Sequence, residues 1–135
     1  MRRLQSVQNA AARLVTGAGH ITPILRQLHW LPVRQRVTFK IAVLVFQCLT
    51  GQAPAYLVDD RQLTSDVSTR RLRSTDTAMY VVRRSYNTFG DRCFAAAGPR
   101  LGNTLPVHPR QCDSLGQFKR LLKIHLFGVW ERDAL

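Results

Sequence analysis

Residues 32–50 constrain the fold more than any other part of this 135-residue chain. Apolar side chains recur there at spacings of three and four residues, which is the periodicity of a helix. Residues 41–46 are apolar on every side, so a helix here should be buried. The apolar run is shorter than the roughly 20 residues that cross a bilayer, and Lys40 interrupts it. We therefore predict a mainly α, single-domain protein around one central helix that ends at Gly51.

Helical periodicity also appears at both ends of the chain. Residues 2–16 predict a helix that ends at Gly17, with one apolar stripe formed by Leu4, Val7, Ala11, Leu14 and Val15. Thr22 and Pro23 predict the start of a short helix that ends at Leu28, followed by a corner at residues 29–31. Ser114 is expected to cap a helix over residues 115–127 whose apolar side is formed by Leu115, Phe118, Leu121, Leu122 and Leu126.

The middle of the chain has weaker signals. Residues 55–63 predict a short helix with Tyr56 and Leu57 packed inward. Residues 64–77, rich in Ser, Thr, Asp and Arg, predict an exposed loop. Residues 79–84 are the best strand candidate, and a minor hairpin somewhere between residues 70 and 86 is expected. Asp91 is expected to cap a helix over residues 92–97, which Gly98 and Pro99 would terminate.

The charge of the chain is strongly unbalanced. The formal net charge is +12, and residues 1–58 contain seven Arg or Lys and no Asp or Glu. Arginine supplies 17 of the 20 cations, and its planar guanidinium group suits phosphate and stacked bases. This distribution indicates a polyanionic partner. The alternatives are a solvated basic surface without a partner, or a cationic face that met another part of a longer protein.

Three basic surfaces are candidates for binding RNA or single-stranded DNA, because each combines cations for phosphates with aromatic rings for bases. Trp30 and Tyr80 could equally be core residues. The first surface surrounds Trp30 and contains Arg26, Arg34, Arg36 and Lys40. The second flanks Tyr80 and Tyr86 and contains Arg70, Arg71, Arg73, Arg83 and Arg84. The third, near Trp130, contains Lys119, Arg120 and Lys123.

Catalytic chemistry is not predicted. The pair Asp59-Asp60 superficially matches a polymerase signature, but no acidic residue precedes it and Leu57 occupies the aromatic position. The four histidines and three cysteines lack the spacing of a zinc site or a disulfide framework. We expect no cofactor, metal, small-molecule substrate or membrane partner. The polar residues after Met1 also argue against a signal peptide, so an intracellular location, nuclear or cytoplasmic, is expected.

A family resemblance is carried by six strings of residues, at positions 4–17, 20–23, 28–41, 90–101, 103–106 and 115–127. Together these strings resemble the region after the polymerase palm in LINE-type retrotransposon reverse transcriptases of the jockey and CR1 type. The resemblance implies a non-catalytic segment that supports the polymerase and its template, without the family's active-site carboxylates. Gly17-Ala-Gly-His20 is shorter than in the family, and Gly102 stands where the family has tryptophan. Loss of a buried tryptophan would cost ~3 to 5 kcal/mol.

The leading hypothesis is therefore a retrotransposon-derived fragment that binds RNA or single-stranded DNA non-specifically. A second hypothesis is a helical protein-interaction module, whose apolar helix faces packed on the polymerase and now recruit a partner. An exposed apolar patch larger than roughly a few hundred Å² would favour this second hypothesis. A decayed fragment without a selected function is the third.

Overall fold

The structure, a computed structural model, describes residues 1–58, 79–82 and 89–134. The described part is mainly α, as predicted, and contains seven α-helices. We number them α1 to α7: Arg2–Thr16, Ile21–Gln27, Val33–Leu49, Ala55–Val58, Phe94–Thr104, Val107–Arg110 and Leu115–Ala134. A single 3-10 turn covers Gly90–Arg92.

The chain divides into two compact units, and α3 and α7 contribute residues to both. The first unit comprises Met1–Phe39 with Arg120–Leu135, and the second comprises Lys40–Lys119. The expectation of a single domain over residues 1–135 stays a prediction.

In the first unit, the core lies where α1 meets α2. Ala12, Ile24 and Leu25 are buried there, and the half-buried Trp30 and Trp130 pack against them. Both helices lie close to their predicted bounds. Gly17 ends α1 in the left-handed conformation, with φ 69°, and its N–H donates to the carbonyl of Arg13. The predicted corner is present as well, with His29 at φ 53°.

The orientation of α1 differs from what its amphipathic pattern suggests. Such a helix normally turns its apolar stripe toward the core. Here Leu4, Val7 and Leu14 are 64, 67 and 87% exposed, whereas Gln8 is buried. The amide of Gln8 donates to the carbonyl of Leu31 at 2.9 Å. The buried face of α1 therefore carries Gln8 and the small Ala12 instead of the large apolar side chains, and Gln8 satisfies a backbone carbonyl of the corner before α3.

The amide of Gln5 completes this contact. Its oxygen accepts a hydrogen bond of 2.8 Å from the N–H of Val33, the first residue of α3. First-turn N–H groups have no partner within their own helix, so Gln5 acts as a cap supplied from another helix. Ala12, one turn beyond Gln8, is fully buried and small enough to let α1 approach α2 closely.

We expect Gln8→Ala to lower the free energy of unfolding by about 1–3 kcal/mol, because it leaves the buried carbonyl of Leu31 without its partner. Leu14→Gln, on the exposed side of the same helix, should change it by less than about 0.5 kcal/mol. Urea unfolding followed by helical circular dichroism measures both. The observed orientation of α1 would be contradicted if Leu14→Gln were the more damaging change.

In the second unit, the C-terminal part of α3 packs against α5 and the start of α7. Phe46 and Phe118 stack with their ring centroids 4.3 Å apart and an interplanar angle of 17°. The predicted central helix is confirmed, and Gly51 follows it at φ 69°. Cys48 is buried, as expected for a small core residue, and its thiol lies 3.8 Å from the carbonyl of Leu57.

The prediction for residues 92–97 is wrong. The helix there is α5, Phe94–Thr104, which continues through Gly98 and Pro99, and Asp91 lies in the 3-10 turn before it. A proline inside a helix costs about 3 kcal/mol, yet both Gly98 and Pro99 are buried. Burial of this face outweighs the local stop signal, and α5 ends at Leu105, the extended residue before Pro106.

Tyr80 is attached to α5 by the side chain of Asn103. The Asn103 amide oxygen accepts from the N–H of Tyr80 at 2.8 Å, and the amide nitrogen donates to the Tyr80 carbonyl at 3.0 Å. The Tyr80 side chain is only 4% exposed. The strand predicted for residues 79–84 is not present in its described part, residues 79–82, where only Tyr80 forms an isolated β-bridge. The other residues of the hairpin expected between 70 and 86 lie outside the described residues.

Gly102 lies directly beneath the Tyr80 ring. A Cβ at position 102 would stand 2.6 and 2.8 Å from two ring carbons of Tyr80, and 3.3 Å from a methyl group of Val45. Real Cβ atoms essentially never lie within 3.0 Å of another heavy atom, so the two contacts with the Tyr80 ring could not form without a shift. The Tyr80 ring therefore occupies the space into which a side chain at position 102 would extend. The expected loss of a buried tryptophan at this position stays a prediction.

Candidate nucleic-acid interface

Arg34 and Arg36 lie on the first turns of α3, just after the corner that Gln5 and Gln8 support. Both side chains are exposed, and α3 has no acidic residue in its first turn. Cations at a helix N-terminus oppose the helix dipole, at a cost of about 0.3–1 kcal/mol each. A phosphate group would offset that cost, because backbone N–H groups and the dipole both favour an anion there.

The third basic surface lies on α7. Lys119 and Arg120 are exposed and Lys123 is half-buried, whereas Phe118, Leu122 and Leu126 are buried. The predicted amphipathic pattern is therefore present, and α7 continues seven residues beyond its predicted end at Phe127. Burial, followed by the nearby Arg132 cation, lowers the pKa of His125 on this helix below its ordinary value of 6.5. His125 is thus a neutral neighbour of these cations at neutral pH.

Two arginines of the described chain are held in ion pairs. Arg26 donates to the Glu131 carboxylate at 2.6 Å, and Arg100 donates to the Asp91 carboxylate at 2.9 Å. Arg26 belongs to the predicted surface around Trp30, so its charge is partly neutralised. Lys40, from the same predicted surface, is exposed in the second unit.

Arg110 has a structural role that the sequence did not reveal. Its guanidinium group donates to the carbonyls of Asn103 and Leu105, at the C-terminal end of α5. The last carbonyls of a helix receive no hydrogen bond from N–H groups of the same helix, so the guanidinium group of Arg110 stabilises the end of α5. Among the residues that the structure describes, its Nη1 atom is buried without a hydrogen-bond partner.

The aromatic side chains fall into two groups. Tyr80 is buried in the second unit, so its ring faces are unavailable to nucleic-acid bases, and the half-buried Trp30 and Trp130 pack against the core of the first unit. By contrast, Phe89 is 80% and Tyr56 71% exposed. The prediction that Tyr56 packs inward is therefore wrong, and the sequence analysis assigned no role to Phe89.

The middle basic surface lies outside the described residues. This applies to Arg70, Arg71, Arg73, Arg83 and Arg84, to Tyr86, and to the pair Asp59-Asp60. The described chain resumes at residue 89, and Phe89 and Arg92, both exposed, lie closest after this segment among its aromatic and basic residues. The role of the five arginines in nucleic-acid binding therefore stays a prediction.

Neither a metal-ligand cluster nor a membrane-spanning helix is present among the described residues. Within 1–58, 79–82 and 89–134, no three His, Cys, Asp or Glu side chains are grouped so that they could hold a metal ion. No described helix is both long and apolar enough to pass through a lipid bilayer. Comparison of the chain with protein-family models, with curated proteins and with solved structures found no match.

Proposed function

We propose that this protein binds RNA or single-stranded DNA without sequence preference and without catalysing a reaction, as the resemblance to the LINE reverse transcriptase region implies. One observation carries the proposal: the charge of the first unit. That unit contains nine Arg or Lys and two acidic residues, one of which, Glu131, is already paired with Arg26. Such an excess attracts phosphate backbones irrespective of base sequence.

The exposure of the cations supports direct contact with phosphates. Arg34, Arg36 and Arg120 are exposed, and the two ion pairs between described residues involve other arginines. Because Trp30 and Trp130 pack against a core, stacking on bases would contribute less than phosphate contacts in this unit. Recognition through phosphates positions a nucleic acid but carries no base information, in agreement with non-specific binding.

The test is a titration of the purified chain with fluorescently labelled single-stranded RNA and DNA at two salt concentrations. If about five phosphates are neutralised, log K falls with log salt at a slope of roughly −3.5 to −4.5. Raising the salt from about 50 to about 200 mM would then weaken binding roughly 100- to 500-fold. Binding that ignores salt, or no binding at the lower concentration, would refute the proposal.

Two sets of variants separate charge from fold. Replacing Arg34, Arg36, Arg120 and Lys123 with Gln should weaken binding to every sequence equally and make the salt slope shallower. The same should hold for Arg70, Arg71, Arg73, Arg83 and Arg84 replaced with Gln. The matched control changes Arg34, Arg36 and Arg120 to Lys, which keeps the charge and should retain most of the affinity.

A further inference from the structure

The exposed apolar stripe of α1 is a surface that nucleic-acid binding does not use. The exposed Leu4, Val7 and Leu14 and the half-buried Ala11 follow one another at spacings of three, four and three residues, the pattern of a coiled-coil seam. Val15 flanks the seam and is 66% exposed. Four large apolar side chains on one 15-residue helix, those of Leu4, Val7, Leu14 and Val15, are thus mostly exposed and are not covered by the described residues.

The buried side of α1 explains why this stripe stays outside. Gln8 and Ala12 face the core of the first unit, and the hydrogen bonds of Gln5 and Gln8 hold the helix in that orientation. Rotating the stripe inward would break both bonds and bury larger side chains where Ala12 now lies. The exposure of the stripe is therefore part of the folded arrangement of the unit.

The spacing and width of the stripe fit the docking of one partner helix better than binding to a membrane surface. In a heptad with Leu4 at position a, Gln8 lies at position e, and it is buried in the protein. Only a narrow seam therefore remains accessible, without the aromatic side chains that interfacial membrane helices commonly carry. A narrow seam of alternating a and d residues matches the corresponding seam of a partner helix.

The charge around the stripe indicates what kind of partner helix would bind to it. Arg3 occupies the g position beside Leu4 and Val7, where coiled-coil partners place ions of opposite sign. Arg2 and Arg13 add positive charge on the outer side of α1, and α1 contains no acidic residue. A second copy of this chain could not supply a carboxylate from its own α1 to Arg3, in either orientation. We propose that the stripe docks an amphipathic helix of another protein, with apolar a and d positions and Glu or Asp beside them.

The probe is a labelled helical peptide with Leu at its a and d positions and Glu at its e and g positions, titrated against the full chain. We expect saturable binding that Leu4→Gln combined with Leu14→Gln weakens about tenfold or more, because both side chains lose their apolar contact. Arg3→Gln should weaken binding less and reduce its salt dependence. A version of the peptide with Lys in place of Glu should not bind.

Three controls separate helix docking from general apolar adhesion, from dimerisation and from membrane binding. Ile124→Gln removes another exposed apolar side chain of the first unit, 63% exposed, and should leave peptide binding unchanged. RNA affinity should be unaltered in the double Leu variant, so that failure of one proposal does not affect the other. Equal peptide binding by the double variant would overturn the proposal. The proposal would also be overturned if the natural chain formed a dimer, or bound anionic phosphatidylserine vesicles, and the double variant did not.

Discussion

Gly102→Ala lowers the free energy of unfolding of this protein by about 1–3 kcal/mol, and Gly102→Val lowers it further. The reason is steric, since a methyl group at this position would lie 2.6 Å from a ring carbon of Tyr80. The Tyr80 side chain is only 4% exposed, and Asn103 holds the Tyr80 backbone through two hydrogen bonds, so relief of the clash requires repacking of the ring inside the second unit. For the same reason, Gly102→Trp, which introduces a far larger side chain, should unfold the second unit.

A double-mutant cycle tests the steric role of the Tyr80 ring. In a Tyr80→Leu background the ring is absent, so Gly102→Ala should cost at least about 1 kcal/mol less than in the natural chain. Gly128 is the matched control, because it lies within α7 and a Cβ there would meet no atom within 4 Å. Gly128→Ala should raise the unfolding free energy by about 0.5–1 kcal/mol. An equal cost of Gly102→Ala in both backgrounds would contradict the role of Tyr80.

Phe118→Ala is expected to have the largest effect, a loss of about 3–5 kcal/mol of unfolding free energy. The Phe118 ring is 2% exposed and stacks on Phe46. Its truncation removes both the burial of the ring and the aromatic contact between α3 and α7 within the second unit. This loss approaches the whole stability of a small protein, so the alanine variant could fail to fold. Phe118→Leu is therefore the second variant, for which we expect a smaller loss of unfolding free energy.

Chemical unfolding monitored by helical circular dichroism measures these changes. Ile124→Ala is the control on the same helix, since that side chain is mostly exposed and alanine is the better helix former. We expect its effect to stay within about 0.5 kcal/mol. A loss below about 1 kcal/mol for Phe118→Ala would show that the stacked pair does not hold the second unit together.

The candidate interface was predictable in its composition but only partly in its geometry. The absence of acidic residues from the first 58 positions identified the basic half of the chain, and Arg34, Arg36 and Arg120 are exposed, as a phosphate contact requires. Periodicity cannot tell that Arg26 meets Glu131, because that pair joins positions 105 residues apart. Periodicity also could not show that Tyr80 is buried and that Trp30 packs against the core of the first unit.

The sequence by itself determined where α1, α3 and the start of α7 lie, because these signals are local. Apolar spacing selects the helix, and Gly17 and Gly51 adopt the positive φ angles that end it at low cost. Only the tertiary structure decided that α1 buries Gln8 and exposes Leu14, and that α5 continues through Pro99. Both outcomes depend on contacts with residues distant along the chain, whose free energy exceeds the local preference, and no pattern within one helix encodes them.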